Sequence, residues 1–339
     1  MTFEVRRRAL GLGVAALALL ATSGAEAQTA ITVAVPNPSA LTWMPLWVAI
    51  GEGFMADEGL DVTVQAVDGS SQVLQAMSAG RAEIGAPGPG PVLAARARGV
   101  DVVFVYNLYP KSVFGLMVQA DSPYQEPADL RGTVVGVGTA DGAEVAFARA
   151  ILTDAGMTEG TDYTFLPVGD GGTATVAFMR DEVSSYAAAV SDAAIMASRG
   201  LNLREITPEA YLAFFGNGFA VLRDTIEADP EVVEGFGRAL VRGMRFAEDP
   251  ANEDAVLVHA AAGNPQEGED KAFAAALLAS AMERMTPTAA YADRGFGYQP
   301  PEHWQLWHES AQSSGASSEP LADLEAAYTN RFVETWNAN

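Results

Sequence analysis

The stretch Trp43-Met44-Pro45-Leu46-Trp47-Val48-Ala49-Ile50-Gly51-Glu52-Gly53-Phe54-Met55-Ala56-Asp57-Glu58-Gly59-Leu60-Asp61-Val62 decides how this 339-residue chain is read. It reads as an amphipathic helix over 45–58, and Pro45 suits the first helical turn, where its missing N–H has no partner to lose. A strand over 61–66 follows, and one over 31–35 precedes.

Working outward, the same alternation continues with helix 71–79, strand 84–86, helix 91–98 and strand 102–106. Ser70 can cap the first of these helices, and Gly80 and Gly99 can end theirs in the left-handed conformation. Strand–helix–strand alternation implies right-handed crossovers on a parallel sheet. A second series spans strand 134–137, helix 142–155, strand 163–167, helix 172–180, strand 186–190, helix 193–199 and strand 203–206. Two apolar segments, 113–119 and 218–223, bracket that series and read as hinge strands. Past residue 224 the pattern is helical, over 230–248, 252–262, 266–285 and 301–314, and these helices are expected to complete the first lobe. The fold class is therefore α/β with two lobes, in the order 28–114 for lobe 1, 115–217 for lobe 2 and 218–339 for the return to lobe 1. That many residues exceed what one hydrophobic core usually serves.

Arg6, Arg7 and Arg8 precede an apolar run over 9–21 and then Ala25-Glu26-Ala27, the small-x-small form of a signal-peptide cleavage site. Residues 1–27 read as a removable signal peptide, too short and too mildly apolar to anchor in a bilayer. Arg7-Arg8-Ala9-Leu10 partly matches the twin-arginine signal, so both it and the general secretory route are open. The chain has no cysteine, which removes disulfides, thiolate metal sites, a cysteine nucleophile and the acylated cysteine of a lipoprotein. The net charge is −23, and without the leader 17 basic residues face 41 acidic ones, a balance that disfavours nucleic-acid binding. It says little about a ligand held in a cleft.

Together with Ser78-Ala79-Gly80-Arg81-Ala82-Glu83-Ile84-Gly85 and Ala128-Asp129-Leu130-Arg131-Gly132-Thr133-Val134-Val135-Gly136-Val137, the opening stretch resembles the periplasmic solute-binding proteins of ABC importers for nitrate, sulfonates, taurine and thiamine precursors. Ala327-Tyr328-Thr329-Asn330-Arg331-Phe332-Val333 is similar to that family's terminal threonine-asparagine motif. The resemblance implies a type II-like periplasmic binding protein fold, each lobe a mostly parallel sheet flanked by helices. It also implies a two-strand hinge, a trapped solute, delivery to a membrane permease with its ATPase, and a monomer. The chain departs from the family at Val183-Ser184-Ser185-Tyr186-Ala187-Ala188-Ala189-Val190-Ser191-Asp192, where a glycine, an acidic residue and tryptophan-glutamate-proline are usual, so no family ligand is carried over. The fungal enzymes that resemble this fold use a cysteine-rich motif, which a cysteine-free chain lacks.

Other motifs are decoys. In Gly136-Val137-Gly138-Thr139-Ala140-Asp141-Gly142 the third glycine comes one position too late for a dinucleotide fingerprint. His259, His303 and His308 all fall in the helical region, and the spacing of the last two does not share a helix face, which disfavours a metal site or a catalytic triad. Acidic runs such as Glu52, Asp57 and Glu58 read as solvated helix faces.

In open α/β sheets a ligand lies beyond the carboxyl ends of the strands, facing helix N-termini. In lobe 1 that rule nominates Trp43, Ser70, Ser71, Gly88, Pro89 and Asn107. In lobe 2 it nominates Asp141, Gly142, Ala143, Glu144, Asp170, Gly171, Thr173, Ser191 and Asp192, with Asn217 beside the second hinge segment. Trp43 is assigned to the cleft and Trp47 to the core. Asp141, Asp170 and Asp192 are either helix caps or a carboxylate set favouring a solute with amine or hydroxyl donors. Lys111, beside the first hinge segment, is expected at the surface, with an anion contact as the alternative. The sequence thus points to a substrate-binding component of an ABC transporter, needing no cofactor or metal, that captures a small polar or aromatic organic solute. A two-lobed periplasmic enzyme and a ligand-presenting sensory subunit are the alternatives.

Overall fold

The computed structural model describes residues 28–169, 171–212, 214–313 and 321–338, together with Met1. Residues 2–27 of the leader and Asp170 lie outside the described residues. The strands are β1 (Thr29–Val35), β2 (Leu60–Ala66), β3 (Ile84–Gly85), β4 (Val102–Tyr106), β5 (Phe114–Gln119), β6 (Thr133–Val137), β7 (Tyr163–Pro167), β8 (Ser185–Ala189), β9 (Leu203–Glu205) and β10 (Phe219–Leu222). The helices are α1 (Met44–Gly51), α2 (Phe54–Asp57), α3 (Gly69–Ser78), α4 (Pro89–Ala97), α5 (Ala143–Asp154), α6 (Gly171–Met179), α7 (Val190–Ser198), α8 (Glu209–Leu212), α9 (Arg223–Ala228), α10 (Pro230–Glu248), α11 (Glu253–Gly263), α12 (Lys271–Met285), α13 (Pro301–Ser313) and α14 (Val333–Asn337).

The strands form two five-stranded sheets, in the orders β2-β1-β3-β10-β4 and β7-β6-β8-β5-β9. In each, the fourth strand runs antiparallel to its two neighbours and the others are parallel. That odd strand is the one the chain supplies on crossing between lobes, β5 on the way out and β10 on the way back. The segments 113–119 and 218–223 are therefore sheet members over most of their length. The hinge is the pair of short crossings before them, where the Tyr109 N–H donates to the Asn217 carbonyl at 3.1 Å and the Gly216 N–H to the Tyr109 carbonyl at 2.7 Å.

The single helix expected over 45–58 is two helices, because Gly53 takes φ 78° and breaks the turn. Helices α10 and α11 pack on α1 and cover the first sheet. Trp304 on α13 sits at the centre of that core, with ring centroids 5.3 Å from Phe104, 5.0 Å from Phe215 and 5.2 Å from Tyr328. The terminal motif is a clamp on this core. Asn330 exchanges hydrogen bonds with the Gln299 backbone at 2.8 and 2.9 Å, and the Thr329 N–H donates to the Phe104 carbonyl at 3.0 Å. Among the described residues no helix is long and apolar enough to cross a membrane.

Candidate functional site

A cavity of about 500 Å³ lies between the lobes, within the range of small-molecule sites. Its first wall is the loop that leaves β1. There Asn37 acts as an organiser: its Oδ1 accepts from the Ser39 N–H at 3.1 Å and from the Trp43 indole N–H at 3.2 Å. Trp43 packs edge-on against Phe219, so it serves core and cavity at once. Tyr109 donates its hydroxyl to the Thr42 carbonyl at 2.6 Å, and burial, with Glu267 nearby, pushes its phenol far above the ordinary range. It remains a neutral donor. Ser70 Oγ accepts the Gly88 N–H at 3.1 Å, and the Asn217 side-chain amide donates to the Ala86 carbonyl at 3.1 Å.

The second wall is built from helix starts of lobe 2. Ala143, Glu144, Gly171, Ser191 and Asp192 line it, with Phe114 and Tyr186 behind. The two acids serve their own backbone: Glu144 Oε1 accepts from the Thr139 N–H at 3.0 Å, and Asp192 Oδ2 from the Ala189 N–H at 3.2 Å. This is the capping use that helix starts favour.

A third wall, absent from the sequence reading, comes from the C-terminal region. Phe273, Leu277, Ser280, Ala281 and Arg284 occupy one face of α12 at helical spacing and line the cavity, while the same helix packs against α7 of lobe 2. Just before it, Glu267 reaches back to accept the Leu41 N–H at 2.9 Å. Burial pushes the Glu267 carboxyl above its ordinary range, against the pull of the Leu41 and Ala40 backbone N–H groups. The face of α12 is visible in the sequence periodicity. Which lobe it would meet is not, and the helices were expected to complete lobe 1 alone.

Of the nominated residues, Trp43, Ser70, Ala143, Glu144, Gly171, Ser191, Asp192 and Asn217 line this cavity. Others do not. Ser71 follows Ser70 by about 100° of helix rotation, so its hydroxyl points away and donates to the Asp141 carbonyl at 3.2 Å. Asp141 and Gly142 share with it a smaller cavity on the seam between the lobes. Gly88 meets Ala143 on that seam, so closely that a Cβ on Gly88 would lie 2.5 Å from the Ala143 methyl. Pro89 is buried in the first turn of α4, and Thr173 is exposed beside Gly169. Asn107 follows β4, which is an outer strand rather than a central one, and its amide donates to the Tyr298 carbonyl at 3.3 Å under the C-terminal segment. Lys111 donates Nζ to the Glu283 carbonyl at 2.8 Å, outside the cavity. Trp47 packs against Gly263 at the end of α11. Among the described residues no group of three or more histidines and carboxylates is arranged to hold a metal ion.

Residues 41–253, from the Trp43 loop through lobe 2 to the start of α11, match one family profile. The chain belongs to the NMT1/THI5-like family. Within reach of this family, the riboflavin-binding protein RibY of Chloroflexus aurantiacus is 27% identical over 97% of this chain and 98% of its own. A solved structure from Bordetella bronchiseptica RB50 superposes with a TM-score of 0.75 at 20% identity, covering 91% of this chain and 97% of that one. The periplasmic aliphatic sulphonate-binding protein SsuA from Escherichia coli does so at 0.66 and 16%, covering 88% and 91%. At those identities the structures establish the periplasmic binding protein fold for this NMT1/THI5-like chain. The desulfurization enzyme DSZB shares the fold at 0.58 and 17% identity, over 91% and 99% of the two chains, so the architecture by itself does not distinguish binding from catalysis.

Proposed function

We propose that this NMT1/THI5-like protein is the periplasmic solute-binding component of an ABC importer, that it acts as a monomer, and that it hands a small flat heteroaromatic solute to a membrane permease and its ATPase. The observation that carries this reading is the cavity between two lobes joined by a paired crossing, lined by Trp43, Tyr109, Phe114, Tyr186 and Phe273. Rings of this kind give a flat solute large contact area with little entropy loss, and the surrounding polar atoms fix its orientation. Riboflavin, named in the Chloroflexus relative, is the first solute to test.

A thermal-shift screen of aromatic metabolites, riboflavin included, tests the reading. Binding to the folded form alone stabilises it by about 2.7 kcal/mol at a hundredfold excess over Kd, so one solute is expected to raise Tm by several degrees. No response from any member of the set would sink it. Recovering the bound solute chemically unchanged after prolonged incubation separates a receptor from an enzyme of the DSZB kind.

A further inference from the structure

Among the described residues four carboxylates and two guanidinium groups line the cavity, and their hydrogen bonds treat them unequally. Glu144, Asp192, Glu267 and Asp270 each accept from backbone N–H groups, of Thr139, Ala189, Leu41 and Ala272. Arg199 and Arg284 have no carboxylate within 4 Å among the described residues. Arg284 is the more confined. Its Nη1 donates to the Ser112 carbonyl at 3.3 Å, while its Nε is buried with no protein partner. Arg96 also carries a buried Nε without a partner, but Asp101 lies 2.8 Å from its Nη1 as a counter-charge. Among the described residues Arg284 has only the neutral carbonyl.

A confined cation without a counter-charge is costly, and an anion arriving with the solute would offset that cost. Acids are not scarce in a chain with 43 of them against 20 basic residues. The four described in the cavity accept from backbone N–H groups instead.

We propose that Arg284 is a specificity-determining residue, and that the flat solute it selects carries an anionic group, a carboxylate, phosphate or sulfonate. This rests on the solute-binding reading above. The guanidinium fork matches such oxyanions with two parallel N–H donors, which a neutral hydroxyl cannot return. The acidic surface does not forbid it, because surface charges more than about 8 Å away are screened at physiological salt. The carboxylates that line the cavity, which alone would favour amine or hydroxyl donors on the solute, are already engaged. Ser112 belongs to the outgoing crossing between lobes, so Arg284 would also tie the solute's charged end to the hinge.

The test compares riboflavin with riboflavin 5′-phosphate, the same ring with and without an anionic end, by quenching of flavin fluorescence on the full chain. The wild type is expected to bind the phosphate about 10- to 100-fold more tightly, the range of one charged hydrogen-bonded contact. Arg284→Gln should bring the ratio of the two dissociation constants close to one, and Arg284→Lys should retain part of it. Because the ratio is taken on one folded protein, a loss of stability in a variant does not imitate a loss of selectivity. Equal affinities in the wild type, a preference for the neutral flavin, or an undiminished ratio in Arg284→Gln overturns the inference and leaves the solute-binding reading standing. Binding of neither flavin by the wild type overturns the inference as drawn for a flavin-like solute, while the wider flat-solute reading stands or falls by the thermal-shift screen.

Discussion

On the β1 side of the cleft, Trp43, Tyr109 and Asn217 are at most 6% exposed, and each has its polar atom bonded to a neighbour. On the α7 side, Ser191, Asp192 and Ile195 are half-buried, and the core beneath them is a separate small cluster of Ala174, Ala177, Phe178, Val183, Tyr186, Ala188 and Met196. The first jaw rests on interlocked tryptophan and phenylalanine rings. The second rests on a cluster of seven residues, three of them alanines, which bury little area each. Local stability follows buried contact, so the second jaw is the one to adjust as the lobes close, and the first is the template it closes on.

The largest effect should come from breaking the first jaw. Trp304→Ala removes a fully buried ring that touches Phe104, Phe215 and Tyr328, and is expected to cost about 3–5 kcal/mol in urea unfolding. A loss below about 1 kcal/mol, the range of an ordinary surface change, would show that this jaw is not the rigid one.

A smaller effect sharpens the comparison at the seam. Gly88→Ala places a methyl against Ala143 across the lobes, an overpacking of about 1–3 kcal/mol that the lobes can relieve by parting. It should weaken solute binding by about tenfold or more while leaving the Tm of the free protein nearly unchanged. A lowered Tm with unaltered affinity would place the strain inside a lobe instead.

The smallest concerns the link from the C-terminal turn to the first jaw. Burial raises the folded-state pKa of Glu267 above its ordinary 4.5, so between those two values the folded chain holds a proton that the unfolded chain has released. That contribution is complete below the ordinary value and is lost as pH rises through the raised one. Over that window the Tm of Glu267→Gln should fall less steeply with rising pH than that of the wild type, and parallel curves would refute the assignment.

The strand–helix alternation was legible because period-2 and period-3.6 patterns are local. Helix α10 begins and ends where the sequence places it, at Pro230 and Glu248. The cavity lining was legible where a residue's position in its turn fixes its direction, as for Trp43, Ser70 and Ser191. It failed at Asn107, because the rule about strand ends holds for central strands and β4 is an outer one. It also failed at Ser71 and Asp141, where one further step of helix or loop turns the group toward the seam.

By itself, the sequence determined the elements, their order, the crossing of the chain between two sheets and the residues that share each helix face, since all of these depend on neighbours within a few positions. Only the tertiary structure decided that α12 lies across both lobes, that the cleft's carboxylates accept from backbone N–H groups, and that Arg284 faces the cavity with no carboxylate within 4 Å among the described residues. Each of those depends on what packs against a face from far away in the chain, and the periodicity of a helix carries no record of its partner.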